Sequence, residues 1–363
     1  MPARYLTGFI LALSGSLAAV WLSIPLPWLI GALLVTAVTK TAGVKSASHN
    51  VFRNAGQWVI GTSLGLYFNQ EVLNIIANNL PFIMAGMIFS LLLGINGSLI
   101  LKKWGKVDFK TAWFASAIGG ASEMSTLAEK HHARADLVAS AHSLRVILVV
   151  VTIPFIFKFL DITGNYSATE SLYFFDTTGF IKLIALTSIA GLIFKKLKLP
   201  NSWVLGPLLV TILLTGNDIV LSHLPPEVPK LGQLFIGWSL GDKFGPDFFK
   251  KAPRYLTVVG FSNVLNLLLA FGFSYILYLV SDIPYPTLVL GNSPGGIAEM
   301  SITAKVLMLG VPLVTAFHVA RMVFVLLVTG PLYYAFEKYV FGHSYKNPVR
   351  QLMASRKKDK RSS

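Results

Sequence analysis

The sequence predicts an all-α polytopic membrane protein made of two inverted repeats, each of about five spans plus one re-entrant or broken helical hairpin. Three observations predict it. The 363 residues are 54% hydrophobic and 13% charged, against roughly 25% charged for a soluble domain. The sequence also repeats about 176 residues apart: Gly119-Gly120-Ala121-Ser122-Glu123-Met124-Ser125 returns as Gly295-Gly296-Ile297-Ala298-Glu299-Met300-Ser301, and His142 and Arg145 return as His318 and Arg321. Finally, the lysines and arginines fall on one side of a membrane only if an odd number of segments in each repeat crosses it.

Six apolar segments appear in each half, at 5–22, 27–42, 52–68, 81–101, 110–128 and 135–160, then at 180–194, 203–219, 230–245, 255–280, 285–307 and 313–336. Most approach the roughly 20 residues that cross a hydrocarbon layer. The first resembles a signal peptide, but its Gly15 has a repeat partner in Gly191, so it reads as a retained span. The second segments share Trp28 and Gly31 with Trp203 and Gly206. The third are glycine-spaced, at Gly56, Gly61 and Gly65 and at Gly232, Gly237 and Gly241, a spacing that lets helices touch closely. The fifth carry the paired glycines, which are poor in a continuous helix. The sixth carry His and Arg.

Charge decides which segments cross. With the N-terminus inside, Lys40, Lys45 and Arg53 fall inside, as do Lys102, Lys103, Lys106 and Lys110. Twelve crossings would place the clusters Lys195, Lys196, Lys198 and Lys243, Lys250, Lys251, Arg254 outside. Ten crossings keep every cluster inside, if segments 110–128 and 285–307 enter and leave on one face. Irregular backbone at membrane depth survives where it is buried in protein or lines a cavity. Two hairpins entering from opposite faces and meeting near the midplane follow, the plan of many secondary transporters. The organisation is then a first membrane repeat at 1–165, an external linker at 166–178, a second repeat at 179–342 and a basic cytoplasmic tail at 343–363.

The chemistry sits in the repeated polar residues. Glu123 and Glu299, carboxylates in apolar sequence, are candidates to carry a coupling proton or sodium ion. His142 and Arg145, like His318 and Arg321, are three residues apart and share a helix face. The arginines read either as guanidinium forks for an anionic or zwitterionic solute, which His142 and His318 orient, or as partners of the hairpin glutamates. Ser122, Asn292 and Ser293 supply polar groups beside Gly119, Gly120, Gly295 and Gly296, where exposed backbone N–H groups suit an anion. The neighbours His131 and His132 read as a solvated loop.

Several classes fall away. Without cysteine neither disulfides nor thiolate metal sites form. The formal charge of +15 is what inside-facing loops produce, so no specific nucleic-acid binding is expected, although the tail suits anionic lipid. No HExxH, phosphate-loop or EF-hand pattern occurs, so no metal and no cofactor are predicted.

At GGASEMSTLAEKHHARADLVASAHSLRV and PGGIAEMSITAKVLMLGVPLVTAFHVARMVFV the chain resembles the AbrB family of bacterial membrane proteins, and the likeness covers nearly everything but the tail. The resemblance implies a multi-pass inner-membrane protein with a duplicated domain and, by the charge argument, both termini cytoplasmic. Such proteins have been labelled regulators of gene expression, ammonia monooxygenases and transporters. The residues argue against the monooxygenase, because one His per half beside an Arg is no ligand set for copper or iron; no enzyme is expected. The leading expectation is a secondary transporter working with the bilayer, a small solute and H+ or Na+. The second is a membrane sensor regulating gene expression through the same pocket. A homodimer is compatible with either.

Overall fold

Local chemistry sets the helix ends. In the computed structural model, which describes residues 2–164, 174–250 and 252–339, the helices of the first half are α1 (Pro2–Trp21), α2 (Pro27–Thr41), α3 (Asn50–Gly65), α4 (Gln70–Asn78), α5 (Leu80–Trp104), α6 (Phe109–Ser116), α7 (Ala121–Lys130) and α8 (Ala135–Phe159). Those of the second are α9 (Thr177–Lys196), α10 (Ser202–Thr215), α11 (Glu227–Gly241), α12 (Pro253–Val280), α13 (Tyr285–Asn292), α14 (Ile297–Val306) and α15 (Val311–Tyr339). No strand occurs among the described residues. Residues 166–173 of the linker and the whole tail 343–363 lie outside them.

Asn69, Asp108 and Asp176 accept hydrogen bonds from the first-turn N–H groups of α4, α6 and α9, and prolines open α2, α5 and α12, where a missing N–H costs nothing. Lysines close α5 and α9, matching the negative helix ends. Among the described residues six helices are long and apolar enough to cross a membrane: α1, α5, α8, α9, α12 and α15.

The helices form two bundles, each drawing on both halves of the chain. One holds α1, α2 and α3 with α9, α10 and α11; the other holds α5 to α8 with α12 to α15. In the first bundle contacts are reciprocal. A Cβ on Gly61 of α3 would stand 2.4 Å from the Val204 carbonyl of α10, and one on Gly237 of α11 would stand 2.3 Å from the Leu29 carbonyl of α2. Gly65 meets Thr211 as Gly241 meets Thr36. At the crossing of α3 and α11, Gly56 faces its own repeat partner Gly232. The glycine spacing thus serves backbone contact.

In the second bundle α5 and α12 run antiparallel. Phe89 stacks on Phe273 at 4.0 Å, Asn96 Nδ2 donates to Asn266 at 3.5 Å, and Arg254 Nε donates to the Trp104 carbonyl at 3.0 Å. The paired positions descend on one helix as they rise on the other. Helix α8 links the two ends of this bundle. At its start the Arg134 N–H donates to Thr111 Oγ1 at 3.1 Å, so the α6–α7 segment returns to where it began. Beyond its end the Gly164 N–H donates to the Leu307 carbonyl at 2.9 Å, at the mouth of the α13–α14 segment, where a Cβ on Gly310 would lie 3.4 Å from Thr287. Both segments are helical hairpins, and their mouths lie at opposite ends of α8.

Candidate functional site

The two hairpins break at the paired glycines. Helix α6 ends at Ala117, whose backbone turns extended (ψ 131), and α7 restarts after Gly120. Helix α13 ends at Ser293 (ψ 142) and α14 restarts after Gly296. Each break strands carbonyls at the end of the first helix and N–H groups at the start of the second.

The His-x-x-Arg pairs answer the carbonyls. From α8, His142 Nε2 meets the Phe114 carbonyl at 2.9 Å, and Arg145 donates to Ala117 O at 2.8 Å and Gly119 O at 2.9 Å. From α15, His318 Nε2 meets Leu290 O at 2.9 Å, and Arg321 donates to Ser293 O and Gly295 O, each at 2.6 Å. Residues three apart on α8 reach carbonyls three apart on α6, because two helices lying side by side share one period. A ring nitrogen facing a carbonyl carries the proton, so Nδ1 is the acceptor. Arg321 Nη2 donates to Nδ1 of His318 at 2.7 Å, whereas Nδ1 of His142 has no partner.

All four side chains are buried. The sequence left open an ion pair between each arginine and a hairpin glutamate. Among the described residues no such pair forms; the ion pairs there are Lys40–Asp242 and Arg134–Asp136. The guanidinium groups are spent on carbonyls at the negative ends of α6 and α13, leaving each Nε unpartnered.

The glutamates answer the N–H end. Glu123 and Glu299 are third in their helices, where a carboxylate reaches back over the first turn. Each folds over its second glycine: a Cβ on Gly120 would lie 2.0 Å from Glu123 Oε2, and one on Gly296 would lie 2.1 Å from Glu299 Oε2. The first glycines clear the buried methionines, with hypothetical Cβ contacts of 2.8 Å from Gly119 to Met124 and 2.5 Å from Gly295 to Met300. The Gly-Gly-x-x-Glu-Met motif is therefore a packing rule in which each glycine makes room for one later side chain.

The remaining candidates scatter. Ser122 is exposed. Asn292 donates to Ser274 Oγ at 3.3 Å and Leu288 O at 3.0 Å, with Oδ1 unpartnered, and Ser293 bonds back to Val289 O. Both are buried, Asn292 against α12 and α13 and Ser293 against α13.

Other participants carry little signal in the sequence. Glu123 Oε1 accepts the Asn201 N–H at 3.2 Å. Asn201 opens α10 in the left-handed region (φ 44), as Leu26 opens α2 (φ 51); a proline before an asparagine was the available signal for the first. Lys243 lies within electrostatic reach of both glutamates, and Arg53 of Glu299. Among the described residues no three His, Asp or Glu side chains gather as a metal site.

Comparison with known proteins places this architecture in a family. The family described as transition state regulatory protein AbrB matches residues 6–337. The chain is 29% identical to the uncharacterized protein YhjN of Bacillus subtilis (strain 168), over 90% of this chain and 89% of that one. It is 24% identical to the "Putative regulator AbrB" of Escherichia coli (strain K12), over 89% of this chain and 94% of that one. With the match spanning the hairpins, the arginine helices and both bundles, the chain belongs to the AbrB family.

Proposed function

We propose that the chain is a secondary transporter of a small anionic or zwitterionic solute, coupled to protons or sodium, with its site between the two hairpins. One observation carries the reading: two carboxylates fold onto the starts of two broken helices in a bundle whose buried arginines touch no carboxylate. Burying an unpaired charge costs several kcal/mol, so the region favours an anion. Each glutamate acts as a built-in anion at a helix start. Once neutralised it releases that position, and a solute carboxylate or similar anion takes it. Arg145 and Arg321 contribute field and hold the break open, while backbone N–H groups and Ser122 supply the contacts.

Antiparallel packing of α5 and α12 and hairpin mouths at opposite ends of α8 support two inverted repeats with re-entrant hairpins, a plan suited to alternating access. A Thr169→Cys variant, labelled in intact cells with an impermeant maleimide, tests it. Labelling from outside fits; labelling only after the membrane is opened means parallel repeats.

For transport, protein in liposomes loaded with a pH dye is offered carboxylates, amino acids and inorganic anions, with a sodium gradient as a parallel arm. Solute-dependent proton or sodium flux that disappears in Glu123→Gln/Glu299→Gln is expected; equal flux in that double variant removes the coupling role. The name of the Escherichia coli relative favours a second reading, a membrane sensor signalling through its tail. Deletion after Asn347 separates them: a transporter keeps its flux, whereas the sensor loses its output.

A further inference from the structure

We propose that the junction between the end of α5 and the start of α12 binds the headgroup of an anionic phospholipid from the adjoining leaflet. The proposal rests on the membrane reading of the chain and is independent of transport.

Helix α5 ends on Lys102, Lys103 and Trp104, and Lys106 follows in the left-handed region (φ 54). Helix α12 begins beside it at Pro253 and Arg254. Arg254 Nε donates to the Trp104 carbonyl at 3.0 Å, which occupies a stranded acceptor of α5 and pins the guanidinium by its inner nitrogen. Neither terminal nitrogen donates to another group among the described residues, so the planar fork remains for a phosphate, the geometry it matches best. Lys103 and Lys106 are exposed on the same junction, with the Lys103 ammonium 6.0 Å from the Trp104 ring. The carboxylate next along the chain, Asp108, accepts the Thr111 N–H of α6.

Apolar surface continues from the cations along the helices. The Trp104 ring, 45% exposed, lies 5.7 Å from the ring of Phe261, 52% exposed. Phe261 is seven residues beyond Arg254, two turns or roughly 10 Å deeper along α12. Cations, then an interfacial tryptophan, then a phenylalanine match the order of phosphate, glycerol and acyl chain in a lipid.

The opposite end of the same helix pair gives an internal contrast. There Asn78 and Asn79 precede α5, and Ser281 and Asp282 follow α12. No basic residue stands among these four, and a cavity of about 750 Å³ opens beside them. Antiparallel helices make similar packing demands at both ends, so packing alone gives no reason for cations at one end only.

Placement of loops on one side of a membrane would also collect cations, and the test separates the two causes. The full chain is purified in detergent and titrated with phosphatidylglycerol and with phosphatidylcholine, with bound lipid counted by native mass spectrometry. Saturable retention of phosphatidylglycerol over phosphatidylcholine is expected. Lys103→Gln/Lys106→Gln/Arg254→Gln should weaken it at least about tenfold. Lys195→Gln/Lys196→Gln/Lys198→Gln removes as many exposed cations from the end of α9 and should leave it within about twofold. Equal weakening by both triple variants, or equal retention of the two lipids, overturns the proposal. Displacement by glycerol phosphate at matched concentration would make this a soluble-anion site and overturns it too. Arg254→Lys keeps the charge and loses the fork. If the site triple variant fails to fold, this single variant should still weaken binding severalfold, and unchanged binding sinks the idea.

Discussion

In the first hairpin Ser122 and Thr126 are exposed, and Glu123 reaches across to the Asn201 N–H of the other bundle. In the second, Ile297, Ala298, Ser301 and Thr303 are buried, and α14 is fastened to α3 by Lys305, whose ammonium donates to Ser63 Oγ at 3.3 Å and stands 5.2 Å from the Tyr67 ring. The repeat partner of Lys305 is Glu129, which carries no cation to set against a ring. The backbones of the two hairpins match, down to arginine hydrogen bonds at equivalent carbonyls; their enclosure does not. Duplication preserved the parts that build the break and let the surroundings diverge, which is what a site needs if its two halves do different work.

Four experiments break or sharpen this comparison. The largest effect is expected from the arginines. Arg321→Met strands two carbonyls and removes the His318 contact, whereas Arg145→Met strands two carbonyls alone. Unfolding in detergent should lose about 2–4 kcal/mol, more for Arg321; a smaller loss at Arg321 would mean its extra bond contributes nothing. Next, Gly296→Ala forces the Glu299 carboxylate off a helix pinned on α3 and should destabilise by about 1–3 kcal/mol. Gly120→Ala moves a carboxylate on a helix with exposed Ser122 and Thr126, at the expense of the Asn201 N–H bond, and should cost less, about 0.5–1 kcal/mol. Equal costs would mean that enclosure does not distinguish the hairpins.

Third, Lys305→Met removes the fastening and should cost about 0.5–2 kcal/mol, while a cysteine placed at Ser301 becomes more reactive to maleimide. Unchanged reactivity would show that α14 is held by its apolar contacts. The smallest effect concerns His131, which sits at the mouth of the first hairpin against Phe114, Tyr333 and Tyr334; its repeat partner is Leu307. Burial pulls the imidazole below its ordinary value of 6.5, and Lys110, His132 and Lys130 reinforce this against Glu337. The unfolded chain therefore takes the proton first as pH falls. Stability is unaffected above that value and declines below it. His131→Leu should flatten the acid side of a thermal-midpoint profile, and an unchanged profile would place the acid loss elsewhere.

The parts legible in the sequence are those written in side chains. The twelve segments, the hairpin positions and the His-x-x-Arg face all follow from residues that cannot be placed cheaply elsewhere. Helix α4 leaves no such mark, because its nine residues are too few for a span. The acceptors of Arg145 and Arg321 were illegible for a different reason: every residue has a carbonyl, so nothing marks Ala117 or Ser293. The same holds for the Asn201 N–H on Glu123, 78 residues away. Leu26 in the left-handed region runs against its own preference and is held there by burial. The motif glycines predict a helix break; that each also clears space for Met124, Glu123, Met300 or Glu299 appears only once the chain turns.

The reciprocal glycine contacts between α3 and α10 bear on how the chain is made. Gly61 leaves the ribosome 143 residues before Val204, its partner. At about 5–20 residues per second, the first half waits roughly 7–30 s with its glycine seam uncovered. Because that seam meets a near copy of its own surroundings, the nearest substitute for the missing half is the first half of another nascent chain. Crowded synthesis should therefore yield swapped pairs, and slowing initiation should suppress them.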